Sequence, residues 1–143
     1  MNNKISNSKV KSQNYNSKYQ IDITSRCFQF SLKIVNMIDR QHSRYDVSGI
    51  IHNQLVRSAT SIGANIVEGK ASSSRREFKK YYEIALKSSN ETKYWLKILL
   101  ERDKTSIKDK KVINELLLEA IELSKMLGAG VRNLKNKNLV FKE

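Results

Sequence analysis

The sequence predicts an all-α protein, an up-down-up-down antiparallel four-helix bundle. The 143 residues contain no proline and only five glycines, so little in the chain interrupts a helix. Apolar residues recur at helical spacing in four successive segments. Short connections with turn residues join those segments, which is typical of antiparallel neighbours in a bundle. We predict one bundle domain over residues 21–136, a flexible basic N-terminal arm over 1–20 and a short C-terminal tail over 137–143.

The first helix is predicted over residues 22–41. Its apolar residues at helical spacing are Ile23, Cys27, Phe30, Ile34, Met37 and Ile38. Phe28, Leu32 and Val35 widen that apolar side until only a narrow polar stripe is left. A helix that is apolar over most of its surface packs against more than one neighbour. This excess of apolar surface indicates contact with further copies of the chain.

The second helix is predicted over residues 48–68, with Ser48 as its N-cap. Gly69 stands where a glycine in the left-handed conformation would end the helix. The core positions are Ile51, Leu55, Ala59, Ile62 and Ile66. Ser58, Gly63 and Ala64 are small, so the third helix can come close at this point, and this offsets the helix penalty of about 1 kcal/mol at Gly63.

The third helix has the clearest start in the chain. Ser74 and Glu77, followed by Phe78, form a capping box in which the Ser74 hydroxyl accepts from the Glu77 amide and the Glu77 carboxylate accepts from the Ser74 amide. The predicted core positions are Phe78, Tyr82, Ala85, Ser89, Thr92, Leu96 and Leu99. Small and polar residues in the middle of this helix indicate a close crossing.

The fourth helix is predicted over residues 107–135. Its core positions are Ile113, Leu116, Ala120, Leu123, Leu127, Gly130 and Leu134. Cys27 is the only cysteine, so no internal disulfide forms, and its place in an apolar pattern predicts a small core residue.

The charge is strongly positive, with 27 Lys and Arg against 14 Asp and Glu and a formal net charge of +13. Such a field favours nucleic acid or an anionic membrane surface as the partner. The predicted nucleic-acid-binding residues are Lys70, Arg75, Arg76, Lys79, Lys80, Lys87, Lys93 and Lys97. The alternative is that these cations form an ordinary solvated face.

Polar residues inside the helical pattern form a second group. They are Ser61, Asn65, Glu68, Ser88, Asn90 and Glu91. One interpretation is a hydrogen-bond network between helices, with Glu68 paired to Arg75 or Arg76, because buried polar groups need partners. The alternative is that the polar side of the second helix faces water.

Several function classes do not fit. The stretch from Gly63 to Ser72 departs from a phosphate-binding loop in its spacing, and Ala71 stands where the magnesium-binding hydroxyl belongs. The chain lacks the paired Glu-x-x-His elements of a di-iron bundle, a set of zinc ligands and a nucleophile–base arrangement. We therefore expect no enzyme activity, no metal and no cofactor. No apolar run approaches the roughly 20 residues of a membrane span, so we expect a cytoplasmic protein without a membrane partner.

The segments RSATSIGANIVEG and SRREFKKYYEIALKSSNETKYWLKILLE closely resemble one family. It is the bacterial four-helix-bundle family encoded in intervening sequences of large-subunit ribosomal RNA genes, which includes relatives of the accessory variability determinant of diversity-generating retroelements. The similarity covers residues 22–135. It implies assembly into a homopentameric ring with a basic exterior and, in the retroelement relatives, binding to nucleic acid and a reverse transcriptase.

The same resemblance implies architectural roles for a set of motif residues. They are Ser61, Gly63, Asn65, Glu68, Gly69, Ser74, Arg75, Arg76, Glu77 and Glu91. We expect a non-enzymatic, ring-forming accessory factor that binds RNA or DNA through phosphate contacts. The alternatives are a protein-interaction scaffold without a direct nucleic-acid role and a basic arm that binds a membrane surface.

Overall fold

The computed structural model describes residues 22–41 and 47–139, with side chains as far as residue 136. These ranges form four helices, α1 (Ile23–Asp39), α2 (Val47–Ala71), α3 (Arg75–Glu101) and α4 (Ile107–Leu139), and contain no strand. The predicted all-α fold is confirmed. The predicted arm and residues 140–143 of the predicted tail lie outside the described ranges, and α4 continues four residues beyond its predicted end.

The helices are antiparallel to their neighbours. Each packs against the next along the chain and α1 also packs against α4, whereas the diagonal pairs do not meet within the described ranges. Three side-chain contacts show the alternating direction. Lys70 at the end of α2 binds Asp22 before α1, and Arg102 after α3 binds Ser48 in the first turn of α2. Lys135 near the end of α4 lies 3.9 Å from Glu83 near the start of α3.

The core is a continuous apolar column between the four helices. Its fully buried members include Phe30, Ile34, Leu55, Ile62, Ile66, Leu96, Ile113, Leu123 and Leu127. The predicted apolar lines of all four helices contribute to it. At the middle of α3 the column narrows to Ser89 and Thr92, both fully buried. Removal of this apolar surface from water is the main contribution to the stability of the bundle.

Cys27 belongs to this core, as predicted. Its side chain is fully buried and burial raises the pKa of the thiol to about 11. The thiol therefore stays neutral and packs as a small apolar group.

The helix starts confirm one predicted cap and correct another. Ser74 Oγ accepts from the Glu77 amide at 3.2 Å, which is one of the two hydrogen bonds of the predicted capping box. Ser106 caps α4 in the same way through the Asp109 amide at 3.1 Å. The prediction of Ser48 as a cap is wrong, because α2 begins at Val47 and the Ser48 hydroxyl instead accepts from Arg102 Nη1 at 2.8 Å.

Gly69 does not end α2 in a left-handed conformation, so that prediction is wrong. It is buried inside the helix, which continues to Ala71, and its φ is not in the positive region. A Cβ at this position would lie 3.1 Å from Tyr81 Cβ and 3.6 Å from the Phe78 carbonyl oxygen. At Gly69, therefore, α2 and α3 approach each other so closely that a side chain would crowd Tyr81.

Gly63 belongs to a different helix pair from the one predicted. A Cβ there would lie 3.4 Å from Cys27 Cβ, so Gly63 faces α1 and not α3. Serine and threonine pairs, together with Gly69, form the close contact between α2 and α3. Both glycines thus serve close packing, each against a different neighbour.

One ion pair joins α1 to α4. Arg26 Nε and Nη2 donate to Glu119 Oε1 and Oε2 at 2.6 and 2.9 Å, and both side chains are about two-thirds buried. This bidentate contact lowers the pKa of Glu119 and raises that of Arg26. Of the four pairs of neighbouring helices, α1 and α4 make the least contact. The two hydrogen bonds between Arg26 and Glu119 therefore help to hold these two helices together.

Candidate nucleic-acid interface

A row of exposed cations lies on the outward side of α3. Arg76, Lys80 and Lys87 are exposed and spaced by four and seven residues, which places them on one side of the helix. Tyr94 follows seven residues after Lys87 with 59% of its surface exposed. From Arg76 to Lys97 the helix rises about 32 Å, at 1.5 Å per residue. This length matches about nine base pairs of duplex DNA, which rises 3.4 Å per pair.

The eight cations predicted from the sequence do not have equal freedom. Six of them are exposed: Lys70, Arg75, Arg76, Lys80, Lys87 and Lys97. Lys70 donates to both Asp22 carboxylate oxygens, at 2.9 and 3.1 Å, and this contact lowers the pKa of Asp22. The charge of Lys70 is therefore largely compensated.

Lys79 and Lys93 are half-buried and take part in packing. Lys93 Nζ donates to Ser124 Oγ at 3.0 Å, and Ser124 Oγ donates to Asn90 Oδ1 at 3.1 Å, so these side chains join α3 to α4. Lys79 Nζ lies 3.9 Å from Glu83 Oε1. These two lysines contribute less to an exterior charged surface than the sequence pattern suggests.

Five of the predicted cations form no ion pair within the described ranges. They are Arg75, Arg76, Lys80, Lys87 and Lys97. The expected pair between Glu68 and Arg75 or Arg76 is absent, and Glu68 is exposed on α2. Such an exposed pair would gain at most about 1 kcal/mol, less the entropy of ordering two long side chains. We use the name α3 basic face for the five exposed cations Arg75, Arg76, Lys80, Lys87 and Lys97.

Sequence reasoning missed Arg132 of α4. It is exposed and forms no ion pair among the described residues. Its neighbours along α4 meet the start of α3, because Gly130 packs against the Tyr82 ring and Lys135 approaches Glu83. Only the antiparallel register of α3 and α4 brings Arg132 to this end of the bundle.

The polar group between α2 and α3 forms part of the predicted network. Asn65 Nδ2 donates to the Ser61 hydroxyl and carbonyl oxygens at 3.0 and 2.8 Å, and Ser88 Oγ donates to Ser61 Oγ at 3.0 Å. Thr92 Oγ1 lies 3.0 Å from Ser58 Oγ. These hydroxyl pairs satisfy polar groups at a close helix crossing and fix the register of the two helices.

The carboxylate of Glu91 lies outside that hydroxyl chain. Glu91 is exposed and accepts from Trp95 Nε1 at 3.2 Å. A groove of about 440 Å³ runs along this surface, lined by Arg57, Ser58, Thr60, Ser61, Ala64, Ser88 and Glu91. Of the predicted architectural residues, Ser61 thus joins α2 to α3 through Ser88 and Asn65 supports it from within α2, while Glu68 and Glu91 lie on the surface.

An apolar groove of about 620 Å³ lies on the surface between α1 and α2. Its lining residues are Asp22, Thr24, Ser25, Phe28, Ser31, Thr60, Gly63, Ala64 and Val67. Among the lining residues, Phe28 and Val67 have 62% and 52% of their surfaces exposed, and Leu32 nearby on α1 is 42% exposed. We refer to this surface as the α1–α2 groove. Large apolar side chains exposed together mark a contact surface more often than scattered single ones.

Two features of other protein classes are absent from the described part of the chain. Its His, Cys, Asp and Glu residues form no group of three or more that could hold a metal ion. None of its helices combines the length and apolar character needed to cross a membrane.

Comparison with known proteins finds a matching protein family and a similar solved structure. The family described as 23S rRNA-intervening sequence protein matches residues 19–129. A crystal structure of a protein of unknown function from the S23 ribosomal protein family of Bacteroides thetaiotaomicron matches with a TM-score of 0.65 and 29% identity. That match covers 76% of this chain and 97% of the other. Among curated proteins, none matches this sequence.

Proposed function

Because the chain belongs to the family of 23S rRNA-intervening sequence proteins, we propose that it is a non-enzymatic accessory factor that binds RNA or DNA. Contacts to backbone phosphates give it affinity without a choice of sequence. The observation that carries this proposal is the α3 basic face, five exposed cations without a carboxylate partner on one 27-residue helix. A reverse transcriptase is one partner that fits such an accessory role.

The position of Arg75 and Arg76 supports an anionic ligand. Both stand in the first turn of α3, where a cation opposes the helix dipole and does not stabilise the helix. A phosphate there would meet the backbone amides of Arg75 and Arg76, which the Ser74–Glu77 cap does not use, together with one or two guanidinium groups. The phosphate would then supply the anionic partner that Arg75 and Arg76 do not find among the described residues of the bundle.

The exposed Tyr94 extends the same face. Its ring lies one helical turn before Lys97 on the surface of α3 and packs edge-on against Trp95, with ring centroids 5.1 Å apart. An unpaired base can stack on such an exposed ring, a contact worth about 1–3 kcal/mol and tolerant of sequence. Single-stranded ligands would use this contact, and duplexes would use the cations alone.

Glutamine in place of four cations of the α3 basic face tests the proposal. The variant Arg75→Gln, Arg76→Gln, Lys80→Gln, Lys87→Gln should bind a 20-base-pair duplex about 100-fold or more weakly at 0.1 M salt. Each lost phosphate contact costs roughly eightfold there, because binding scales as the −0.9 power of salt per contact. Fluorescence anisotropy measures the affinity, and an unchanged melting temperature shows that the bundle is intact.

A control of equal charge separates a site from general electrostatics. Lys104→Gln, Lys108→Gln, Lys110→Gln, Lys111→Gln also removes four positive charges, here between the end of α3 and the second turn of α4, and it should weaken binding less than about tenfold. Equal losses in the two variants would contradict a binding face on α3.

Self-association is the second part of the proposal. The α1–α2 groove leaves Phe28, Leu32 and Val67 exposed, and a second copy of the chain would remove this apolar surface from water. A closed ring brings two different surfaces of each copy together. A pentamer of this kind would place five α3 basic faces on one particle and so raise its avidity for a long polyanion.

A further inference from the structure

The polar groove between α2 and α3 carries both a positive and a negative side chain, and we refer to it as the α2–α3 groove. Its volume of about 440 Å³ lies within the range of about 300–1,000 Å³ that small-molecule sites span. Its charged lining residues are Arg57 on α2 and Glu91 on α3, and all the other lining residues except Ala64 carry a hydroxyl group. Such a lining suits a ligand that both donates and accepts hydrogen bonds.

A hydroxyl contact shows that the two charged residues lie at the same level of the bundle. Ser58 Oγ and Thr92 Oγ1 are 3.0 Å apart. Arg57 directly precedes Ser58 and Glu91 directly precedes Thr92, so the charged residues lie within one helical turn of each other along the bundle axis. Neither Arg57 nor Glu91 forms an ion pair among the described residues. Both charges therefore remain available to a ligand in the groove.

Trp95 holds the Glu91 carboxylate in place. Trp95 Nε1 donates to Glu91 Oε1 at 3.2 Å, and the half-buried indole packs against the core. A carboxylate has about four lone-pair positions, so this bond leaves both oxygens able to accept further hydrogen bonds. Because the carboxylate is already oriented, a ligand that binds it loses less entropy in ordering the site.

Ser61 supplies a hydrogen-bond donor to the α2–α3 groove. Its Oγ accepts from Asn65 Nδ2 and from Ser88 Oγ, both at 3.0 Å, and these bonds occupy both of its lone pairs. The Ser61 hydroxyl donates to no acceptor among the described residues. Its proton is therefore available to a carbonyl oxygen or a ring nitrogen of a ligand.

We infer that the α2–α3 groove binds an unpaired guanine of a nucleic acid strand whose phosphates lie on the α3 basic face. The inference rests on the proposed function and adds the base that the protein selects. Guanine has two adjacent donors, N1–H and the N2 amino group, which match the two carboxylate oxygens of Glu91. Its acceptors O6 and N7 match a guanidinium such as that of Arg57. The other three bases have no two adjacent donor groups on one edge.

Lys87 connects the α2–α3 groove to the α3 basic face. It stands one helical turn before Glu91, about 6 Å away along the axis of α3. A phosphate bound by Lys87 therefore lies beside the groove, and the attached nucleotide can turn its base inward. Proteins that read RNA sequence commonly recognise unpaired bases that are turned out of the strand in this way. A duplex keeps its bases paired, so its binding stays independent of sequence.

A set of single-stranded RNAs tests the inference. A strand of twelve uridines is the reference, and three further strands replace one central uridine by guanosine, adenosine or cytidine. The parent protein should bind the guanosine strand about tenfold more tightly than the other three, the discrimination typical of one bidentate contact to a base. Fluorescence anisotropy at 0.1 M salt measures the four affinities. Equal affinity for all four strands would overturn the inference.

Glu91→Gln separates base recognition from general electrostatics. The variant keeps the size of the side chain and removes one negative charge, so its affinity for the uridine strand should rise slightly. Its preference for guanosine should fall below about twofold, because an amide has only one acceptor oxygen. Glu101→Gln removes the same charge from an exposed residue at the end of α3, outside the groove, and it should keep the full preference. Equal preferences in these two variants would contradict recognition by Glu91.

Arg57→Gln should also lose the preference for guanosine, and an unchanged melting temperature shows that each variant is folded. Light scattering shows whether a second copy of the chain covers the α2–α3 groove instead. We expect the Glu91→Gln and Arg57→Gln variants to keep the mass of the parent, and a changed mass would overturn the inference in favour of a contact between copies. A parent protein that binds none of the four strands, and no duplex, in a salt-dependent way would remove the proposed function itself.

Discussion

Glutamine in the α1–α2 groove is expected to abolish the self-association that we propose and to leave single chains of 16.5 kDa. The double variant Phe28→Gln, Val67→Gln places two polar amides on the surface that we propose a second copy covers. Each buried apolar side chain of this size contributes about 1.5–3 kcal/mol to such a contact, and a buried amide without a partner adds a penalty. Light scattering coupled to size exclusion at several concentrations measures the mass.

A matched variant shows whether the groove itself matters. Ile107 is 90% exposed at the start of α4, away from the groove, so Ile107→Gln should leave the mass of the assembly unchanged. Two results would contradict self-association through the groove. One is a parent protein with the mass of one chain at every concentration, and the other is a groove variant that keeps the mass of the parent.

Gly69→Leu is expected to lower the free energy of unfolding by about 1–3 kcal/mol or more, the range of overpacked cores. The new Cβ alone would lie 3.1 Å from Tyr81 Cβ, which is fixed to the backbone of α3 and cannot rotate away. The remainder of the leucine side chain would push α2 and α3 apart about two helical turns from the Ser61–Ser88 contact. Urea denaturation followed by circular dichroism measures the change.

A side chain at Gly128 in α4 is expected to have the opposite effect and to stabilise the protein. A Cβ at Gly128 would meet only Arg132 Nη1, at 3.5 Å and at the end of a flexible side chain. Gly128→Ala should therefore stabilise the protein by about 0.5–1 kcal/mol, since alanine favours the helix. If Gly69→Leu unfolds at the same urea concentration as the parent, α2 and α3 do not approach each other at Gly69 as described.

Local signals predict the helices well. The Ser74 cap and the apolar line that ends at Leu99 depend only on residues within a few turns of each other, so the sequence pattern is sufficient to place α3. Cys27 follows the same rule, because an apolar helical position already indicates burial. Each of these features depends on a single helix and on which of its sides faces the core.

Contacts between helices were harder to predict. Gly63 and Gly69 are both small residues in one helix pattern, yet one faces α1 and the other faces α3. The pattern of α2 shows that a neighbour comes close but does not identify which one, since this depends on the register and rotation of three helices together. The same reason explains why Gly69 resembles a helix end in the sequence.

Some residues of the candidate site could be predicted from the local sequence, whereas the roles of others depend on contacts between helices. Arg75, Arg76 and Lys80 could be found from charge and spacing alone. The neutralisation of Lys70 by Asp22 and the contact of Lys93 with Ser124 join residues 48 and 31 positions apart, and only the fold brings them together. Arg132 lies near the start of α3 for the same reason.

Salt dependence of binding tests most directly whether the protein recognises nucleic acid through backbone phosphates. The parent chain is titrated with two duplexes of unrelated sequence between 50 and 300 mM salt. The expected result is a linear fall of log affinity with log salt, steeper than about −3 and the same for both duplexes. A slope near zero, or tight binding to only one of the two sequences, would contradict phosphate recognition by this basic bundle.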